Sequence, residues 1–260
     1  MVHATWNLLV ARTRDPQAAT AVAGVLGAIV LAPFAVATWH VESDALPFAA
    51  ASAVIHVAYF SILALAYTRA DLSVVYPLAR GSAPVLVLVG AVLILGESPS
   101  WLQAVGVVLV AVGVISIRGL RTEGDRAGEA LGLAVGVTIA AYTVVDKQGV
   151  EHANALPYLL LLNAPASTVY LLWVARRRGR EVLGEVSPLT FLTGAGMMGA
   201  YALTLGALQL GPASGVAATR ETSILFATAF GAIVLRERVG TARALGAAAI
   251  VAGVAAVAIG

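Results

Sequence analysis

The chain has 260 residues, 60% of them hydrophobic and only 12% charged, with 16 Lys and Arg against 14 Asp and Glu. A soluble domain carries about a quarter charged residues to cover its surface, so this composition excludes a water-soluble globule. With no cysteine there is no basis for disulfides, thiolate catalysis or cysteine-bound metal, and the weak, scattered net charge offers nucleic acid no patch.

Apolar runs between polar breaks predict ten helical segments, near 1–11, 17–39, 47–68, 72–95, 100–117, 130–146, 155–175, 189–210, 213–235 and 240–260. Most are long enough to cross about 30 Å of hydrocarbon as helices. The fold class is therefore an all-α polytopic membrane protein. Segment 1 is the short one: from Met1 to Ala11 a helix rises only about 16 Å. The expectation is that this first helix is truncated and that the true start lies upstream.

Segment 3 places His56 in mid-run, where it serves either as an interhelical hydrogen bonder or as a proton relay. Segment 4 carries VVYPLARGSAP, residues 74 to 84. Pro77 and Pro84 each remove a helical hydrogen bond, freeing the carbonyls of Ser73 and Arg80. Unpaired backbone persists in a membrane only against protein or a watery cavity, so a kink or break around a polar interior is expected here. Arg80 lies about eight residues deep, where a charge costs roughly 3 kcal/mol or more. It is either a fork for a substrate carboxylate or phosphate or half of an internal ion pair with Glu221. Tyr76 stands beside it as a neutral contact.

Segment 6 contains a Gly132/Gly136 pair at GxxxG spacing and Tyr142, and segment 7 contains Asn163. Both polar groups are candidate substrate contacts or packing glue. Gly194, Gly196 and Gly199 cluster in segment 8, and such glycines permit close helix approach. Segment 9 carries ATRETS, residues 218 to 223. There Arg220 is a second candidate substrate-binding cation, and Glu221 either carries a proton or neutralises an arginine. Glu97 and Glu237 sit at segment ends, where capping or loop pairing is expected.

A shift of 140 residues superposes Arg80 on Arg220 and Glu97 on Glu237, and also pairs Gly106 with Gly246 and Gly113 with Gly253. The two charged coincidences carry the weight, since chance glycine matches are common. A duplicated five-helix unit must place its second copy upside down, because five is odd. This gives two inverted repeats, at 1–118 and 129–260, with a site near the midplane between them.

The Arg-rich loops lie on one side. Arg12 and Arg14, Arg69, Arg118 to Arg126, Arg176 to Arg180 and Arg236 to Arg243 all follow odd-numbered segments, while Lys147 flanks the other side. The positive-inside rule puts those loops in the cytoplasm and both termini outside. No Gly-rich phosphate loop, Ser–His–Asp set, HExxH motif or metal-ligand cluster can be assembled, so neither an enzyme nor a cofactor is expected.

"HATWN" (His3 to Asn7) with "ARTRD", "YPLARG" and "RETS", together with Gly96-Glu97 after segment 4, resembles the EamA family of the drug/metabolite transporter superfamily. The resemblance covers nearly the whole chain, although Arg236 replaces the glycine in the second half. It implies a single-chain secondary transporter, with a cavity lined mainly by segments 1, 3, 4, 6, 8 and 9. Its substrates would be amino acids or other small metabolites, moved across a bacterial inner membrane, and its termini would be cytoplasmic, opposite to the loop-charge reading. A lipid or lipid-linked sugar flippase and a non-transporting assembly subunit are the alternatives. The expected partners are a small-molecule substrate and the lipid bilayer, and the sequence permits a homodimer.

Overall fold

The computed structural model describes residues 15–69, 72–118, 126–223 and 241–260. Among these residues the chain forms nine α-helices: α1 (Pro16–Ala37), α2 (Ala45–Arg69), α3 (Leu72–Leu93), α4 (Trp101–Arg118), α5 (Arg126–Gly149), α6 (Ala155–Arg178), α7 (Pro188–Leu210), α8 (Ala213–Arg220) and α9 (Thr241–Ile259). A 3-10 helix, Gly179–Glu185, joins α6 to α7. Segment 1 with His3, the part of segment 9 beyond Ser223, and Glu237 lie outside the described residues.

Five helical stretches are long and apolar enough to span a membrane, namely Gln17–Ala37, Ala45–Leu63, Arg126–Gly149, Ala155–Glu185 and Pro188–Leu210. Shorter apolar helices cover Leu78–Leu93, Trp101–Ser116 and Ala244–Ile259. Many large side chains point outward: Val54, Leu93, Leu203 and Leu245 are between 69% and 78% exposed, whereas alanine is the commonest residue in the buried set. Lipid gives no reason to bury a leucine, so helices pack through small residues that let backbones approach.

The described chain divides into two compact units that cut across the sequence halves. The first holds residues up to Phe60 and Val145–Leu210, and the second holds Ser61–Val144 and Gly211–Gly260.

In the first unit α1 packs between α6 and α7. It starts at Asp15, whose carboxylate accepts from the amides of Gln17 (3.0 Å) and Ala18 (3.2 Å) and pairs with Arg178 at 3.1 Å. An acidic N-cap satisfies orphan amides and suits the helix dipole. A Cβ on Gly27 would lie 2.6 Å from the Gly194 carbonyl oxygen, so α1 and α7 touch backbone to backbone. The run Arg176–Arg178 ends α6, and Gly179 follows at φ +61°, a left-handed stop that favours glycine. Trp173 anchors this end by stacking on Tyr170 and lying under Arg177, whose guanidinium carbon is 4.2 Å from the ring centre.

In the second unit α4 runs along α9, and α3 packs on α4, α5 and α8. The α4–α9 crossing is built on glycine: a Cβ on Gly106 would come within 2.6 Å of the Gly253 oxygen, and one on Gly113 within 2.6 Å of the Gly246 oxygen. Val107, Val110, Val114, Ala218 and Ile250 form the core around it. The GxxxG pair works as expected, with Gly132 against Val75 and Leu78, and Gly136 against Ser82 of α3.

The expectation of a helix break in segment 4 needs correction. Helix α3 is continuous from Leu72 to Leu93, so Pro77 and Pro84 sit inside one helix and not at a break. One lost backbone bond per proline is small against the rest of a long helix, and the buried Pro84 ring is packed by protein. The interruption occurs instead in segment 9. There α8 ends at Arg220 and the Glu221 amide turns back to the Ala218 carbonyl at 3.1 Å, tightening the chain into a 3-10-like turn.

Candidate functional site

The tightened turn sets the Glu221 carboxylate against α3. Arg80 is 7% exposed and Glu221 3%, and Arg80 Nε lies 3.1 Å from Glu221 Oε2. This contact is an ion pair without hydrogen-bond alignment between the two atoms. Arg80 Nη2 also donates to Ser223 Oγ at 3.3 Å. The next side chain along, Arg220, acts on the same carboxylate, and its Nη2 donates to the buried Tyr142 hydroxyl at 3.4 Å. One unit thus gathers Arg80, Arg220, Glu221, Tyr142 and Ser223. Two planar forks and two hydroxyls around a single carboxylate form a group of donors that suits an anion.

Glu97 explains the start of α8. After Gly96, held at φ +68°, its carboxylate accepts from the Ala213 amide at 2.7 Å and from Ser214 Oγ at 3.1 Å. Pro212, the residue at the cap, offers no side-chain bond of its own. The expected capping role therefore holds for Glu97, and it fixes the helix that carries Arg220.

The remaining candidates lie elsewhere or outside the described residues. The side chains of Tyr76 and Pro77 are outside them. Asn163 belongs to the first unit, where its amide donates to the Gly24 carbonyl at 3.4 Å and accepts from Ser167 at 3.2 Å, tying α1 to α6. His56 also belongs to the first unit, with Nδ1 2.8 Å from the Ser52 carbonyl oxygen and 3.3 Å from Ser52 Oγ.

One buried polar centre escaped the sequence reading. Asp146, fully buried in α5, accepts from Tyr158 of α6 at 3.0 Å and from the Tyr201 hydroxyl of α7. His56 of α2 lies close by, its ring meeting the Tyr201 ring edge-on at 5.5 Å, and acts on the charge of Asp146. Gly149, one turn on, makes room for the Tyr158 ring, which a Cβ there would overlap. Asp146 was overlooked because it closes an apolar run beside Lys147, where an acid reads as a loop flank. The signal that could have found it is the helical spacing of Asp146 with Tyr142 and Gly149, on a face with no reason to be wet.

Among the described residues no group of three or more His, Cys, Asp or Glu side chains could hold a metal ion.

Comparison with known proteins places this geometry in a family. The model of the EamA-like transporter family matches residues 3–119 and again 126–259, a two-repeat architecture over nearly the whole chain. A crystal structure of a protein aligns with 99% of this chain and 93% of its own at a TM-score of 0.72 and 15% identity, a likeness of fold. No curated protein matches the chain. The family's members are multi-pass membrane transporters rather than enzymes. With two family repeats and apolar helices throughout, the chain belongs to the EamA-like transporter family and is a membrane transporter of the drug/metabolite type.

Proposed function

We propose that this transporter is a ten-span secondary carrier that exports small carboxylates, such as amino acids or organic acids, across a bacterial inner membrane. Its two inverted repeats alternate access to a site at Arg80 and Arg220, where Tyr142 orients Arg220. The observation that carries this reading is the Arg80–Glu221 pair, at 3.1 Å without hydrogen-bond alignment. A buried pair needs excellent geometry to offset desolvation of both charges. This one keeps the guanidinium charged and in place. A substrate carboxylate, which an arginine fork can hold by two parallel bonds, competes with the glutamate for it and so signals occupancy. Substrate binding and release of the internal pair then become one event.

The test is a thermal-shift screen of the purified full-length protein against amino acids, organic acids and phosphorylated metabolites, with Arg80→Gln and Arg80→Lys alongside. The expected result is a carboxylate that raises the melting temperature of the native protein, less so of Arg80→Lys, and not of folded Arg80→Gln. A parallel arm with phosphorylated lipids tests the alternative: if only those act, the carrier is a flippase. If nothing acts and Arg80→Gln merely melts earlier, the arginine is a structural ion pair and the reading fails.

A further inference from the structure

The first unit contains a buried acid with a different kind of partner. Glu221 faces two guanidiniums, charges that no accessible pH removes. Around Asp146 the contacts come from hydroxyls: Tyr158 on one oxygen and Tyr201 on the other. The neighbouring lysine is engaged elsewhere, for Lys147 Nζ donates to the Leu208 carbonyl at 2.8 Å and pairs with Glu151 at 3.5 Å. The group that acts on the charge of Asp146 is His56, a side chain that can be neutral or cationic.

The geometry of His56 says where that proton sits. Only an N–H can face a carbonyl oxygen at 2.8 Å, so Nδ1 carries a hydrogen toward Ser52. The second proton is therefore gained and lost at Nε2. Ser52 Oγ stands 3.3 Å from Nδ1, which fixes the imidazole on its own helix. Asp146 and Ser52 are fully buried and His56 is 8% exposed. The ring of Tyr201, half-buried, meets the His56 ring edge-on at 5.5 Å, so Tyr201 touches both ends of the pair.

We propose that Asp146 and His56, joined through Tyr201 and held by Tyr158 and Ser52 on either side, form a one-proton site separate from the arginine cluster. Adding H⁺ gives either an imidazolium beside a carboxylate or a neutral imidazole beside a carboxylic acid. Losing it leaves a buried carboxylate that hydroxyls alone must support. A buried charge of that kind is expensive, and a helix rearrangement that rehydrates it is the natural response. Because α2, α5, α6 and α7 all supply a group, protonation biases the packing of four helices at once. Coupling of this site to substrate movement rests on the transport reading above; the existence of the site does not.

The test is infrared difference spectroscopy of the full-length protein in lipid, titrated between about pH 5 and 8 with no substrate present. The expected result is one transition seen together in imidazole and carboxyl bands. It is lost in Asp146→Asn, and its carboxyl band changes frequency in Tyr201→Phe, where a donor to that carboxylate is gone. A wild-type spectrum without such a transition overturns the proposal. So does a band that survives Asp146→Asn and vanishes in Glu221→Gln, or one driven by Na⁺ at fixed pH. Should Asp146→Asn fail to fold, His56→Gln and Tyr201→Phe decide, and an unchanged transition in both sinks the site. A positive titration alongside an empty ligand screen would leave the proton site standing and the carboxylate reading fallen.

Discussion

Gly106 of α4 meets Gly253 of α9 so closely that a Cβ on the first would sit 2.6 Å from the carbonyl oxygen of the second. Gly113 meets Gly246 at the same distance. The 140-residue shift maps Gly106 onto Gly246 and Gly113 onto Gly253. Each contact is thus the image of the other, and the two run in opposite chain directions. Reciprocity of this kind is what a two-fold axis produces between equivalent helices, here within one chain.

Gly106→Leu or Gly253→Leu should therefore destabilise the protein strongly. Overpacking typically costs about 1–3 kcal/mol, and here the obstacle is backbone that cannot rotate away. Gly199→Ala is the control: a Cβ there meets nothing within 4 Å. Detergent melting curves should drop by several degrees for the first two variants and stay put for the third.

The Arg80–Glu221 pair should behave as a coupled unit. Removing one partner of a buried pair costs roughly 3–5 kcal/mol because the other charge is stranded. Arg80→Gln and Glu221→Gln should each lower stability sharply, and the double variant should recover much of the loss. A double-mutant cycle by chemical unfolding measures this, and additive effects would contradict the geometry.

Glu97→Ala should loosen the start of α8. The carboxylate bonds the Ala213 amide and Ser214 Oγ, and loss of a cap typically costs about 1 kcal/mol. Since α8 ends in Arg220, any ligand found by the thermal screen should also bind several-fold more weakly. Glu97→Gln, which keeps an acceptor, should fall between. Stability and affinity measured on the same samples check both statements.

In proteoliposomes, a pH gradient should accelerate uptake of that ligand by the native protein. Asp146→Asn should lose the acceleration while still exchanging ligand across a membrane without a gradient. An equal response to the gradient in both proteins would place coupling elsewhere.

The helices were legible because length and apolarity alone decide a membrane span. Arg80 and Glu221 were legible too, since a buried charge must find a partner. The break expected at Pro77 and Pro84 was read from local chemistry, whereas the interruption at Glu221 leaves no residue signature: no Pro or Gly marks it. The glycine matches of the repeat were discounted as chance and are a structural axis. Composition made them look cheap, and only the reciprocity of the contacts reveals them. Asp146 was invisible for a further reason: its donors, Tyr158 and Tyr201, are scattered over the chain and brought together by packing.

The way the compact units interleave the halves has a consequence for how the protein is made. Residues 61–144 share their unit with residues 211–260, so α4 waits for α9, the last helix described, to cover its glycine face. A nascent chain inserted only as far as α7 already holds the helices of the first unit but presents α4 without its partner. Assembly of the second unit must therefore wait for α9 to be inserted, and a chain lacking α9 would be expected to become a substrate for membrane proteases rather than half a carrier.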